Sequence, residues 1–312
     1  MKQHNFHTPP ARALQQGRTL VELMISMTIG LAIVAAIMTV YLSTTSTSRQ
    51  SNAVTRMSED AAIGFTMIGN YLRVDGYSQP RVLLSVGSAT VNGVSISPAD
   101  RNFTGMALRG CDNGFASVAA AFDSLTCAST GVAGQSALAM RFEGDLDSTL
   151  PVNGNPSDCL SNEVTGSAAS AVDGSNYKLI DSRLFVSTAA NGTPELYCAG
   201  NGGATPYARQ PLLQFVEAMA LTYGVANNSQ GRNVTNFMTQ AQLDASSGTT
   251  ASRWGRVVSV RACLVMRSQD TQQESTQSYV NCEGNSVTTT DGFSRRAFTS
   301  VFTLRNRNDL AG

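Results

Sequence analysis

Few residues of this chain are able to carry chemistry, and histidine and lysine, with two copies each, are the scarcest of them. The two histidines, His4 and His7, both lie at the N-terminus. This excludes a histidine-based catalytic triad or histidine-ligated metal in the body of the chain. The sequence also lacks the GxSxG, HExxH and Walker motifs. We predict that the chain is not an enzyme, although sequence alone leaves a carboxylate pair or a Ser–Lys site open.

The six cysteines are the next candidates for chemistry. None has CxxC spacing and no histidine lies near them, which argues against zinc binding and thioredoxin-type exchange. In an oxidising compartment they are expected to form disulfides, each contributing about 2–4 kcal/mol. Of the fifteen possible pairings, we predict that neighbours along the chain pair: Cys111–Cys127, Cys159–Cys198 and Cys263–Cys282. In the alternative, Cys263 is a free thiol buried in an apolar strand.

One acidic motif has a spacing that metals use. Glu143, Asp145 and Asp147 alternate along the chain, and oxygen ligands at such spacing can hold calcium. The remaining EF-hand pattern is absent, so the preferred interpretation is a solvated acidic turn, with calcium binding as the alternative. No cofactor is expected.

The overall composition describes a folded protein with no electrostatic preference for nucleic acid. The 312 residues carry 22 basic and 22 acidic side chains, and 42% of them are hydrophobic, enough for a sizeable core. Arginines cluster near the C-terminus, at Arg295–Arg296 and at Arg305 and Arg307. We interpret them as the solvated flanks of the last strand; the alternatives are a surface that pairs with a neighbouring subunit and a weak DNA contact.

An apolar segment near the N-terminus has the length of a membrane-spanning helix and would decide on which side of a membrane the rest of the chain lies. Leu23–Leu42 comprises 20 residues without a charge or a proline, and such a helix is about 30 Å long, one hydrocarbon thickness. Its polar residues Ser26, Thr28 and Thr39 are tolerable because their hydroxyls can bond back to the helix backbone. Basic residues precede the segment, which predicts a cytoplasmic N-terminus and an exported C-terminal part. All six cysteines then lie outside the cytoplasm.

A single carboxylate, Glu22, lies one residue before this run, where burial is costly unless the charge is paired. The residues around it, GRTLVEL at Gly17–Leu23, resemble the prepilin processing signal of type IV pilins and type II secretion pseudopilins. The resemblance implies cleavage between Gly17 and Arg18 by a prepilin peptidase, which makes Glu22 the fifth mature residue. The other interpretations are a cleaved secretory signal and a plain membrane anchor.

The same resemblance implies a role for Glu22 in a filament. Its carboxylate would pair with the terminal amine of Arg18 in a neighbouring subunit. Misaligned helices would leave both charges unpaired in an apolar bundle, at a cost of several kcal/mol, and the pair would thereby set the axial register. The family usually has a methylated Phe at the first mature position, whereas here Arg18 supplies a second cation beside the amine.

The helix is predicted to continue beyond the membrane. Asp75–Gly76 supplies a C-terminal stop signal. Apolar residues recur at helical spacing before it, at Val54, Met57, Ala61, Phe65, Ile68 and Leu72. We expect this stripe to pack on a sheet.

The rest of the chain is predicted to be mostly β. A short helix is possible at Asn233–Leu243. Polar, glycine-rich stretches separate the following strand-like runs: Val82–Val86, Thr90–Ile96, Ala137–Phe142, Lys178–Ser187, Leu196–Ala199, Phe215–Tyr223, Val257–Arg267, Ser278–Cys282 and Ala297–Leu304.

A single helix followed by strands predicts an α+β fold, with the long helix packed on an antiparallel sheet that carries long loops. This agrees with the pilin-like architecture that the resemblance of the N-terminus implies. The expected organisation is a leader at 1–17, a transmembrane and assembly helix at 18–42, an amphipathic continuation at 43–76 and a β-rich domain at 77–312.

The C-terminal third extends the resemblance. The segments PLLQFVEAMALTYGV (211–225), WGRVVSVRACLVMRS (254–268) and the closing LRNR (304–307) are similar to the C-terminal region of the PilW group of minor pilins. The resemblance implies a minor pilin that helps to prime pilus assembly at the tip, and thereby serves adhesion, twitching motility or DNA uptake. The alternatives are a minor pseudopilin of a type II secretion system and a membrane-tethered binding or adhesive module.

The resemblance also implies partners and a location. The partners would be other minor pilins, the major pilin, the prepilin peptidase, the inner-membrane assembly platform and the lipid bilayer, with no direct nucleic-acid contact. The chain would cross the bacterial inner membrane once, with its C-terminal domain in the periplasm, and would then pass to the pilus or cell surface.

Overall fold

The computed structural model describes residues 19–79, 89–91, 94–96, 101–130, 135–170, 174–228, 231–272 and 275–306. The predicted leader, the cleavage site at Gly17–Arg18, the predicted strand Val82–Val86 and Arg307 lie outside these residues. Two compact units follow one another along the chain, Met1–Ser51 and Asn52–Gly312.

A single long helix, α1, runs from Leu20 to Val74. It ends at the predicted stop signal, because Gly76 has a φ of +70°, a conformation that glycine adopts without strain. Within the second unit its buried residues are Met57, Ala61, Gly64, Ile68 and Leu72. The buried face of the helix therefore includes Gly64, which the sequence did not predict, whereas Phe65 of the predicted stripe is only partly buried. The leucine side chains of Leu264 and Leu213 lie close against Gly64 and leave little room for a larger residue.

The larger sheet is antiparallel, with strand order β3-β4-β6-β7-β8 and β5 paired to β6. Its strands are β3 (Leu108–Cys111), β4 (Ala137–Gly144), β5 (Ala168–Ala169), β6 (Asn176–Thr188), β7 (Pro194–Gly200) and β8 (Arg209–Gln214). Most residues of β4 and of the middle of β6 are buried, as expected for strands in the interior of a sheet.

The second sheet has the order β10-β9-β11-β14 and is also antiparallel. Its strands are β9 (Val216–Val225), β10 (Asn236–Met238), β11 (Val257–Thr271) and β14 (Phe293–Thr303). Phe215, with a φ of +62°, lies where the chain passes from β8 of the first sheet to β9 of the second.

One large core joins the elements of the second unit. It contains the buried residues of α1 together with side chains from both sheets, among them Leu184, Tyr223 and Leu264. The prediction of an α+β fold, with a long helix packed on antiparallel sheet, is therefore confirmed.

The smaller elements depart most from the sequence prediction. The run Thr90–Ile96 is two short strands, β1 (Ala89–Val91) and β2 (Val94–Ile96), paired as a hairpin. The predicted helix at Asn233–Leu243 is instead strand β10 followed by helix α2 (Gln240–Asp244), which begins with a capping box at Thr239. The unpredicted elements are β3, β5, β8, a 3-10 turn (Phe122–Ser124), helix α3 (Thr250–Trp254) and β13 (Ser286–Thr289), which pairs with β12 (Gln277–Val280).

Three disulfides connect the six cysteines. They join the same neighbouring pairs that the sequence favours, Cys111–Cys127, Cys159–Cys198 and Cys263–Cys282, with Cα–Cα distances of 5.2, 6.4 and 5.8 Å. The structure has no free cysteine among them, so Cys263 is not the buried thiol of the alternative interpretation.

Candidate assembly segment and buried polar clusters

The first unit presents its apolar side chains outward. Between Leu20 and Leu42 of α1, the large hydrophobic side chains are 52% to 76% exposed. By length and composition, α1 is the one helix among the described residues that is long and apolar enough to cross a membrane, with a mean hydropathy of 2.4 in its most apolar window. A soluble domain rarely exposes an apolar surface of this extent, which marks the segment as one that lipid or other helices cover.

Glu22 lies in the first turn of α1. Its backbone N–H donates to Oγ1 of Thr19 at 3.3 Å, as at a helix N-cap. Its carboxylate is exposed beside the apolar surface, at the helix end where the dipole favours a negative charge. A single helix thus positions Glu22 but provides no partner for it within the described residues.

The hydroxyls of the apolar segment bond back to the helix, as predicted. Ser26 Oγ donates to the Glu22 carbonyl at 2.7 Å, Thr28 Oγ1 to the Ile25 carbonyl at 2.9 Å and Thr39 Oγ1 to the Ala36 carbonyl at 2.8 Å. These bonds satisfy the hydroxyl groups, which would be costly in hydrocarbon if they were left without a partner.

The acidic motif at the end of β4 accepts hydrogen bonds from groups of the protein itself. The Glu143 carboxylate accepts hydrogen bonds from Ser78 Oγ, the Gln79 N–H and Asn102 Nδ2 at 2.7–2.8 Å. In the part of the chain that the structure describes, no group of three or more acidic, histidine or cysteine side chains could hold a metal ion.

The other carboxylate of this motif closes the turn that follows β4. Asp145 accepts from the N–H groups of Asp147 and Ser148 at 3.0 and 2.6 Å. Burial alone would raise the pKa of Asp145, but hydrogen bonds from the side chain and N–H of Ser148, the N–H of Asp147 and the Tyr77 hydroxyl outweigh it and hold the pKa below its ordinary value.

A cluster around Asp244 connects α2 and α3 to the large sheet. Asp244 Oδ1 accepts from Arg109 Nη1 at 2.8 Å and from Trp254 Nε1 at 3.0 Å. The Arg109 guanidinium lies 5.0 Å from the Trp254 ring centroid. Burial would raise the pKa of Asp244, yet the hydrogen bonds from Arg109, Gln240 and Trp254 leave it below the ordinary value. The cluster is paired internally, which suits a structural role.

A second cluster lies on β6, around Arg183, whose side chain is fully buried. Arg183 donates to both carboxylate oxygens of Asp181, at 3.0 and 2.7 Å, and to the carbonyls of Val118 and Ala120. Tyr207 Oη donates to Asp181 at 2.9 Å, and its ring lies 4.0 Å from the Arg183 guanidinium. Burial, followed by the charge of Asp181, raises the pKa of Tyr207 to about 12.

Arg295 corrects the interpretation of the C-terminal arginines as solvated flanks. Its side chain is only 5% exposed, and it forms ion pairs with Glu217 and Asp291 at 2.7 and 2.5 Å. The hydrogen bond from Arg295 holds the pKa of Asp291 far below its ordinary value. Arg296 and Arg305 remain exposed. The sequence could not separate these arginines, because the partners of Arg295 include a residue 78 positions away.

The buried carboxyl of Asp75 has neither an ion pair nor a full set of hydrogen bonds among the described residues. It is 4% exposed, and its Oδ1 has no hydrogen-bond partner among the described residues. It lines a cavity of about 30 Å³ together with Trp254 and Leu304. Burial raises the pKa of Asp75 well above its ordinary value, and a backbone hydrogen bond from Arg141 only partly opposes this.

Residues 183–306 match the family model for PilW, described as Type IV Pilus-assembly protein W. Together with the apolar N-terminal helix, this match decides the family resemblance. The chain fits a PilW-type minor pilin. No curated protein and no solved structure matches the chain.

The PilW match begins inside β6 and ends beyond β14. It therefore covers all of the second sheet, and Arg183 and Tyr207 of the buried cluster, but not their partner Asp181, α1 or Glu22. PilW is a pilus-assembly component, so the match connects this chain with pilus assembly in general and suggests an envelope location and contacts with other pilus components.

Proposed function

We propose that the protein is a minor pilin of the complex that primes type IV pilus assembly, at or near the pilus tip. The PilW match supports a role in assembly. The exposed apolar half of α1, with one carboxylate at its start, supports insertion of this helix among other helices. Adhesion, twitching motility and DNA uptake would follow as properties of the assembled pilus.

The proposed route begins in the inner membrane. A prepilin peptidase removes residues 1–17, and residues 18–42 hold the protein in the bilayer with its β-rich domain, 77–312, in the periplasm. The basic residues before the apolar run support this topology, because positive charge is retained on the cytoplasmic side. Other minor pilins and the major pilin then replace lipid around the helix, with the assembly platform as the site of this exchange.

Glu22 is proposed to set the register of this helix against its neighbour. Its carboxylate is exposed on α1. In a helical bundle it would be buried, and pairing with the terminal amine of a neighbouring Arg18 would avoid the cost of an isolated charge. Only one axial position brings the two charges together, which makes the pair a register device.

The N-terminus of the protein from its native membrane tests the processing step. Intact-mass and peptide analysis should find a mature chain that starts at Arg18, and an added 14 Da would report methylation of its amine. A chain that starts at Met1 would contradict processing and would leave a plain anchored domain.

Substitution of Glu22 tests the filament role. Glu22→Ala should insert into the membrane at the wild-type level and strongly reduce surface pili, because the register pair is lost. Glu59→Ala is the matched control, since Glu59 is an exposed carboxylate on the same helix but outside the apolar segment. Normal piliation by Glu22→Ala would refute the role. Normal pili with a loss of protein secretion would instead favour a type II secretion pseudopilin.

A further inference from the structure

The second sheet ends in an open edge at β14. Among the strands in the described residues, β11 is the one that pairs with β14, on one side of it. The Leu304 N–H donates to the Val258 carbonyl of the partner strand segment, and the antiparallel register is continuous from Ser259–Thr303 to Arg267–Arg295. Even-numbered residues of β14 therefore bond to β11, whereas the N–H and C=O groups of Val301 and Thr303 point outward.

This edge lacks the usual protection against further pairing. Natural edge strands are shielded by prolines, charges or bulges. From Ala297 to Thr303 the sequence is AFTSVFT, with no charge and no proline, and its pairing with β11 is regular. The Val301 side chain is 53% exposed. The outward backbone groups are thus available to an additional strand.

A groove of about 420 Å³ runs between this edge and α1. On the helix side it is lined by Phe65 and Gly69, and on the strand side by Val301 and Phe302. The rings of Phe65 and Phe302 lie 6.3 Å apart. A Cβ atom at Gly69 would lie 2.8 Å from the Phe302 ring, so glycine lets this ring lie close to the helix. Thr66 and Asn70 of α1 and Thr303 of β14 also line the groove, which therefore combines an aromatic patch with polar side chains.

One end of the groove is positively charged. Arg73 of α1 and Arg305, just after β14, both line it and both are exposed. No acidic residue lines the groove, and neither arginine forms an ion pair within the described residues. By contrast, Arg295 on the same strand has two carboxylate partners. The two free arginines match a ligand that brings its own carboxylates.

We propose that this groove binds an extended acidic segment of a partner protein, which adds to β14 as a further antiparallel or parallel strand. The backbone of the segment bonds to Val301 and Thr303, its apolar side chains cover the rings of Phe65 and Phe302, and its carboxylates pair with Arg73 and Arg305. Strand addition supplies affinity through the backbone, and the arginines select for acidic segments. The proposal does not depend on the role of Glu22.

Hydrogen exchange of the full chain in detergent micelles tests the proposal directly. The probe is an acetylated eight-residue peptide of alternating valine and threonine that ends in two aspartates. Its saturable binding should slow exchange at the amides of Val301 and Thr303. The amides of Ser300 and Phe302 already bond to β11 and should exchange slowly with or without the peptide. Their behaviour is the internal control.

Two matched pairs of variants separate the contributions of backbone and charge. Val301→Pro removes an outward N–H and should abolish binding, whereas Val301→Thr keeps it and should bind the peptide. The Arg73→Gln/Arg305→Gln double variant should weaken binding by about tenfold or more, because charge-assisted hydrogen bonds are lost. Replacing both aspartates of the peptide by asparagine should weaken its binding to the wild-type chain to a similar extent.

Three results would overturn the proposal. The first is no protection of Val301 and Thr303 at a peptide concentration of about 1 mM, an affinity too weak for a specific contact. The second is equal binding of the aspartate and asparagine peptides. The third is tighter binding of an eight-nucleotide thymidine oligomer than of the acidic peptide, because the arginines would then be serving phosphates.

Discussion

Replacement of Asp181 by asparagine should destabilise the protein more than any surface charge change. Arg183, its partner, has a fully buried side chain, and Asp181 itself is 4% exposed. The substitution keeps the shape of the side chain but removes the countercharge of the buried Arg183 guanidinium and of Arg141, whose Nε lies 3.8 Å from Asp181. Breaking a buried pair in this way costs about 3–5 kcal/mol. For a unit the size of Asn52–Gly312 this corresponds to a fall in Tm of roughly 6–20 °C.

The assay is thermal and urea unfolding of the full chain in detergent, followed by tryptophan fluorescence. Trp254 is the only tryptophan, is buried, and lies in the cluster of Asp244 rather than in that of Arg183. It therefore reports global unfolding of the domain. Asp123→Asn is the control, because Asp123 pairs with Arg141 at 3.4 Å while 72% exposed. Exposed pairs of this kind contribute about 0–1 kcal/mol.

The double variant Asp181→Asn/Arg183→Met tests the cause of the loss. It removes both charges, so it should be more stable than Asp181→Asn alone, although the bonds of Arg183 to two backbone carbonyls are also lost. If Asp181→Asn lowers the free energy of unfolding no more than Asp123→Asn does, the buried pair does not stabilise the fold and the reasoning from burial is refuted. A double variant less stable than Asp181→Asn would also contradict it.

Three further measurements test other parts of the structure. Removing the Cys159–Cys198 disulfide, which closes a loop of 39 residues, should cost about 4 kcal/mol in urea unfolding, and an unchanged midpoint would contradict that bridge. Asp75→Asn should raise stability at pH 7 by about 1–3 kcal/mol, because it replaces a buried, incompletely bonded carboxyl. Since burial raises the folded-state pKa of Asp75, the contribution of this carboxyl to stability is full below about pH 4 and is lost as the pH rises. The extra stability of Asp75→Asn should therefore disappear in acid, and an increase that does not depend on pH would refute the raised pKa of Asp75. Gly110→Ala should cost about 1–3 kcal/mol in thermal unfolding, because its Cβ would press on two buried aromatic side chains, whereas Gly166→Ala, with open space around it, should be nearly neutral.

Local patterns were sufficient wherever neighbours along the chain decide the structure. The apolar stripe and the Asp75–Gly76 stop signal predicted the course and the end of α1, because helix periodicity and a left-handed glycine act within a few residues. The long strands β4, β6, β9 and β11 were predicted for the same reason. The short strands were not, since β3 and β8 depend on partners that the sequence does not identify.

Local patterns in the sequence therefore predicted the α+β class and the apolar helix that begins beside Glu22. They favoured nearest-neighbour pairing of the cysteines without excluding a free Cys263, and the structure supplied the three bridges. The pairing of charges, by contrast, is visible in the fold alone. The fold buries Arg295 between Glu217 and Asp291, gives Arg305 no ion pair within the described residues, and places Arg73 and Arg305 on the same groove. Charge pairing and burial depend on residues far apart in the chain, and the order of the strands in the sheets, not the local sequence, brings those residues together.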